Sequence, residues 1–235
     1  MLSLVLWTLL AGAAIPAGGL LAAFERIRPR WLEREVRHSV IAFGGGVLLA
    51  AATLVLVPQG IHAVPGWLAP LLLVLGGAAF MGLDQLLAER SGTRAQLVAM
   101  LADFMPEAAA LGATFASDRR AGVYLAVLIA LQNLPEGFNA YREIRAGSAV
   151  PKARLLMVFS CLAVLGPVIG LLGHAVLSPD GPLLGGTMLV AAGGILYLMF
   201  QDIAPQVRLQ QAFAPPLGAV LGYGLGVLGH VWAGP

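Results

Sequence analysis

The chain has 235 residues and a formal net charge of +2, with 59% hydrophobic and only 11% charged residues. A soluble domain of this size needs a charged surface that this composition does not supply, and the single cysteine, Cys161, excludes an intrachain disulfide framework or a Cys-rich metal cluster. The pI of about 9.0 does not point to nucleic acid, because the cations sit in short loops between apolar runs, as in integral membrane proteins oriented by charge.

Eight apolar segments follow one another at 2–24, 38–57, 67–88, 96–116, 121–141, 153–177, 183–202 and 212–232, separated by short polar or Pro/Gly punctuation. Each is close to the ~20 residues that one membrane crossing requires. The first is expected to be a true span and not a cleaved signal peptide. No Lys or Arg precedes its apolar core, whereas Arg26, Arg28, Arg30, Arg34 and Arg37 follow it, the reverse of a signal peptide's charge order. The loops on that side hold twelve cations in all, including Arg90, Arg94, Arg142, Arg145, Lys152, Arg154 and Arg208. The opposite side has Arg119 and Arg120. Positive loops stay in the cytoplasm, so the expectation is an all-α membrane protein of eight transmembrane helices, one polytopic domain over 1–235, with both termini outside.

Glycine clusters at Gly44–Gly46 and Gly222–Gly226 are expected to let helices approach closely. Trp7, Trp31, Trp67 and Trp232 lie near segment ends or in flanking stretches and suit an interfacial belt. His38, His62, His174 and His230 also lie near segment ends and read as interfacial residues rather than ligands.

The fourth and fifth segments break the apolar pattern. Asp103 and Glu107 are four residues apart, as are Gln132 and Glu136, so each pair shares one helical face. Asn133 stands one turn before Glu136, and each glutamate directly follows a proline, Pro106 or Pro135. A helical proline has no N–H to donate and crowds the turn before it. In lipid, the carbonyls so released need another partner, which places this backbone against protein or a water-filled cavity. A glutamate at mid-membrane costs ~2.5 kcal/mol or more. Spacing alone leaves three roles open: hydrogen bonds between helices, a proton relay, and a cation site.

These motifs resemble the ZIP family of divalent-metal transporters. The family's fourth and fifth helices carry a His-Asn-x-Pro-Glu-Gly motif, and Gln132-Asn133-Leu134-Pro135-Glu136-Gly137 matches all but the leading histidine. Asp103-Phe104-Met105-Pro106-Glu107-Ala108 is a more eroded copy. Likeness extends to the second, third, sixth and seventh segments, with Pro58-Gln59 where the family has Pro-Glu and Gly166-Pro167 where a glutamate precedes the proline. The resemblance implies a ZIP-like bundle with a midplane metal site of Asp103, Glu107, Gln132, Asn133 and Glu136, with Asp202 on the exit pathway. The family's second metal position is expected to be weak or absent.

That implied ligand set is all oxygen, which suits Mn²⁺, Mg²⁺ or Ca²⁺ better than zinc, with Fe²⁺ admissible. The expected substrate is a divalent metal ion of the Mn, Fe or Zn class, moved toward the cytoplasm, with no resident cofactor. Three carboxylates carry more charge than one divalent ion balances, so uptake is expected to depend on pH. Expected partners are the metal, the lipid bilayer and a second copy in a homodimer, with no nucleic acid. The expected location is the bacterial inner membrane. An alternative is a degenerate homologue without transport activity that acts as a regulatory or interaction protein. An intramembrane enzyme is disfavoured, because neither a His-Glu-x-x-His motif nor a pair of catalytic aspartates in the spans occurs.

Overall fold

The computed structural model describes residues 1–25, 30–88, 93–177, 181–207 and 213–233. The expectations placed on Arg26, Arg28, Arg90 and Arg208, and on the side chains of Arg30, Trp31, Arg34 and Arg94, fall outside the described residues. The described chain is helical, without a strand, and forms eight rods. α1 is Leu2–Phe24. α2 runs Arg30–Ala51, passes through a π turn at Ala52–Leu56 and continues as Val57–Ala63. α3 is Leu68–Ala88, α4 Thr93–Ser117, α5 Arg119–Gly147 and α6 Lys152–Val176. α7 runs Pro182–Leu198, then a π turn at Met199–Ile203 and Ala204–Val207, and α8 is Ala214–Ala233. Among the described residues, seven helices are long and apolar enough to cross a membrane, which marks an integral membrane protein.

Local chemistry sets the breaks. Asp118 stands extended between α4 and α5, and its carboxylate accepts from the Arg120 and Ala121 amides at 2.7 and 3.3 Å, a side-chain N-cap that lets one helix follow the other at once. α7 opens with Pro182, whose missing N–H costs nothing in a first turn. Pro16, Pro106, Pro135 and Pro167 lie inside α1, α4, α5 and α6, and each helix runs on through its proline.

Consecutive rods alternate in direction. α4 and α5 meet at Glu107–Gln132 and again at Phe115–Gly122, an antiparallel register. α2 and α8 run parallel, with Gly218 on Ser39, Gly222 on Phe43 and Gly226 on Ala50. The glycine clusters therefore do what the sequence implies. A Cβ at Gly46 or Gly222 would enter the backbone of the neighbouring helix.

The packing also repeats itself. Gly222 backs onto the Phe43 carbonyl and Gly46 onto that of Ala219. Between α3 and α7, Gly76 backs in the same way onto Val190 and Gly193 onto Leu73. α2 and α7 each carry a π turn, followed one residue later by Pro-Gln, at Pro58-Gln59 and Pro205-Gln206. Loss of the proline N–H loosens the turn ahead of it, which is where each helix widens. With the Pro-Glu copies on α4 and α5, an approximate two-fold relates α2, α3 and α4 to α7, α8 and α5. α2 and α7 lie antiparallel, with Gly60 on Leu189 and Gly45 on Ile203, so the repeat is inverted.

Candidate metal cavity

A cavity of about 160 Å³ lies between α2, α4, α5 and α7. Its wall includes Ile41, Gly44, Met100, Asn139, Leu198 and Gln206. Each of these lies in the half of its helix nearest the cation-bearing loops, so the cavity reaches from the middle of the bundle toward that end. Glycine permits the closure of its wall. A Cβ at Gly44 would lie 2.6 Å from Pro135 Cγ, and one at Gly45 2.6 Å from Ile203 Cγ2. In the opposite half the bundle is filled by Leu111, Leu125, Leu128, Ile129 and Met188, each 1% exposed. Close packing of this kind leaves little room for water among these side chains.

Asp103, Gln132 and Glu136 line the cavity near the middle of their helices. Asp103 is 8% exposed and Gln132 4%. Glu107, one turn deeper on α4 and 3% exposed, does not reach the cavity wall. It accepts instead from the Gln132 amide, Nε2 to Oε1, at 2.5 Å. Its second oxygen, Oε2, and the Gln132 carbonyl oxygen Oε1 are buried with no hydrogen-bond partner. Buried polar atoms are nearly always paired, and each orphan calls for an explanation. Both atoms, one of them a carboxylate's, are acceptors with no donor among the described residues.

Asn133 takes another direction. Its amide donates to the Ala11 carbonyl of α1 at 2.9 Å, and the side chain is absent from the cavity wall. Asp202 lies on the α7 π turn and lines the cavity nearer the cation-bearing loops, together with Gln206, which donates to the Asp202 main-chain oxygen at 2.9 Å. None of the four histidines lines the cavity. Among the described residues no three Asp, Glu, His or Cys side chains converge as a ready metal cage. The carboxylates are spread along the cavity.

Asn139 is a wall residue that the sequence reading missed. The signal was there: Gln132, Glu136, Asn139 and Glu143 recur at four, three and four residues, one continuous helical face. In the sequence Arg37 stands only as one of the orienting charges. It reaches across from α2 and donates to Asn139 Oδ1 through Nε at 3.3 Å and Nη2 at 3.0 Å. No spacing in the sequence joins residues on two helices 102 positions apart. No family model and no curated protein matches the chain.

Proposed function

We propose that the protein is a ZIP-like carrier of a divalent cation, with eight spans, both termini outside and the site near the bilayer midplane, moving its substrate toward the cytoplasm of a bacterial cell. The observation that carries this reading is the pair of orphaned oxygens, Gln132 Oε1 and, just behind the wall, Glu107 Oε2, at a cavity that Asp103, Gln132 and Glu136 line in the middle of the bundle. Carboxylates inside a membrane bundle are costly unless used, and a cation would satisfy acceptors that lack a donor. The inverted repeat supports the same reading, since binding sites of many transporters lie at the interface between inverted repeats. Loss of imidazole from both motifs favours Mn²⁺ or Fe²⁺ over Zn²⁺ as substrate.

The degenerate, non-transporting reading draws on one observation. The Gln132 amide already engages Glu107, a donor where a metal would otherwise bind. Uptake of Mn²⁺, Fe²⁺, Zn²⁺, Cd²⁺ and Mg²⁺ into proteoliposomes separates the two. Saturable uptake, abolished by Glu136→Gln, is the expected result. No uptake across the panel, with no metal retained by the purified protein, overturns the carrier reading in favour of the degenerate one.

A further inference from the structure

The part of α7 that walls the metal cavity has a second side. Leu198, Asp202 and Ile203 line the cavity, whereas Leu196, Tyr197, Phe200 and Gln201 line a groove between α7 and α3. The groove holds about 410 Å³, far more than a single ion needs. Two glycines make the trough. Gly193 lets α7 rest on the Leu73 backbone, and a Cβ at Gly77 would come no closer than 3.4 Å to the Gly193 carbonyl oxygen, so a side chain fits there and none is present.

α3 and α7 run parallel, with Gly76 on Val190 and Asp84 joined to Tyr197, so the groove follows both helices toward the cation-bearing loops. From Gly193 to Gln201 the helix rises about 12 Å, close to the ~15 Å of hydrocarbon in one leaflet. Polarity changes along that length. The deep end is Leu73, Val74 and the two glycines, and the shallow end is Tyr197 and Gln201. There the Tyr197 hydroxyl donates to Asp84 Oδ2 at 2.9 Å. α3 ends at Ala88, about 6 Å beyond Asp84, which puts this carboxylate near headgroup depth. Asp84 is half-buried, and among the described residues no cation pairs with it. A carboxylate on a helix that turns Leu71, Val74, Leu75 and Leu86 to lipid calls for a countercharge.

We propose that this groove binds one ethanolamine phospholipid from the leaflet on the cation-bearing side, with an acyl chain in the trough and the headgroup ammonium on Asp84. Basic loops draw anionic headgroups, but the carboxylate at this groove repels them and attracts an ammonium. A second copy of the chain fits less well, because a two-fold along the membrane normal would bring its own Asp84 to the same depth, like charge against like. Phe200 and Gln201 belong to the same π turn as Asp202 and Ile203, so a lipid seated behind that turn braces the cavity wall. This consequence for transport rests on the carrier reading, and the binding itself does not.

The full chain is reconstituted in vesicles of equal ethanolamine and glycerol phospholipid, extracted in mild detergent and weighed by native mass spectrometry. One ethanolamine lipid per chain should be retained, in severalfold preference to the glycerol lipid. Asp84→Asn keeps an acceptor for Tyr197 and removes the charge, and should abolish the preference. Gly77→Leu fills the trough and should abolish retention, whereas Gly82→Leu, with open space around it, should retain the lipid. Equal retention of both lipids by the unaltered chain, or an unchanged preference in Asp84→Asn, overturns the proposal. So does a lipid-free dimer, which would assign the groove to a second copy. Lipid retained with this selectivity while no metal is taken up sinks the carrier reading alone.

Discussion

Gln132→Leu is the sharpest probe of what Glu107 is. The substitution keeps side-chain bulk in the α4–α5 seam and removes the amide that reaches Glu107 Oε1 at 2.5 Å. Because Oε2 already has no partner, both oxygens of a carboxyl group that is 3% exposed would then lack a donor among the described residues. Two magnitudes compete. An ordinary hydrogen bond between membrane helices is worth about 0.6 kcal/mol. A hydrogen bond to a buried charged group is worth ~1.5–3 kcal/mol, and its loss leaves the acceptor desolvated without return. If Glu107 holds a cation-binding carboxylate, the larger figure applies, and Gln132→Leu should cost about 2 kcal/mol. At about 2–4 °C per kcal/mol for a chain of this size, Tm should fall by roughly 4–8 °C.

The assay is thermal unfolding of the purified protein in detergent, run as a double-mutant cycle with Glu107→Gln. That second substitution leaves an amide able to pair with Gln132, so stability should change by less than about 0.6 kcal/mol while metal uptake is lost. Asn133→Leu is the internal control. It breaks a neutral bond to the Ala11 carbonyl and should cost no more than about 0.6 kcal/mol. If Gln132→Leu costs as little as Asn133→Leu, Glu107 is helix glue and the reasoning from orphaned oxygens fails.

Two further outcomes test the architecture. Gly76→Ala and Gly222→Ala should each destabilise by ~1–3 kcal/mol, because the added methyl meets the Val190 or Phe43 backbone. Gly82→Ala, with open space around it, should stabilise by up to about 1 kcal/mol on helix propensity alone, and equal effects on Tm at all three would contradict the close seams. In a Cys161→Ser background, Leu48→Cys on the cavity wall should react with a membrane-impermeant thiol reagent applied from the cation-bearing side. Leu111→Cys, in the filled half, should not, and reaction of both from that side would show that the cavity runs deeper.

The sequence by itself determined the number, order and approximate ends of the helices, because each is a run of apolar residues bounded by Pro, Gly or charge. α1 is Leu2–Phe24 as read, and α3, α4, α6 and α8 end within a few residues of their apolar runs, whereas α2, α5 and α7 extend well past theirs, to 30–63, 119–147 and 182–207. It also put Asp103 with Glu107, and Gln132 with Glu136, on one face of each helix, since the i, i+4 period is a property of one helix. Only the tertiary structure decided which neighbour each polar group faces. Asn133 and Gln132 are adjacent in sequence, about 100° apart around α5. One amide meets the α1 backbone and the other meets Glu107. Arg37 likewise reaches Asn139 only because α2 lies against α5, which Gly44 permits by leaving room for Pro135. The inverted repeat stayed hidden for a similar reason. Pro58-Gln59 and Pro205-Gln206 are two residues of identity in apolar helices, and they acquire meaning only when each follows a π turn in helices packed antiparallel. Periodicity along one helix is written in the chain. The choice among its faces belongs to the helices that pack against it.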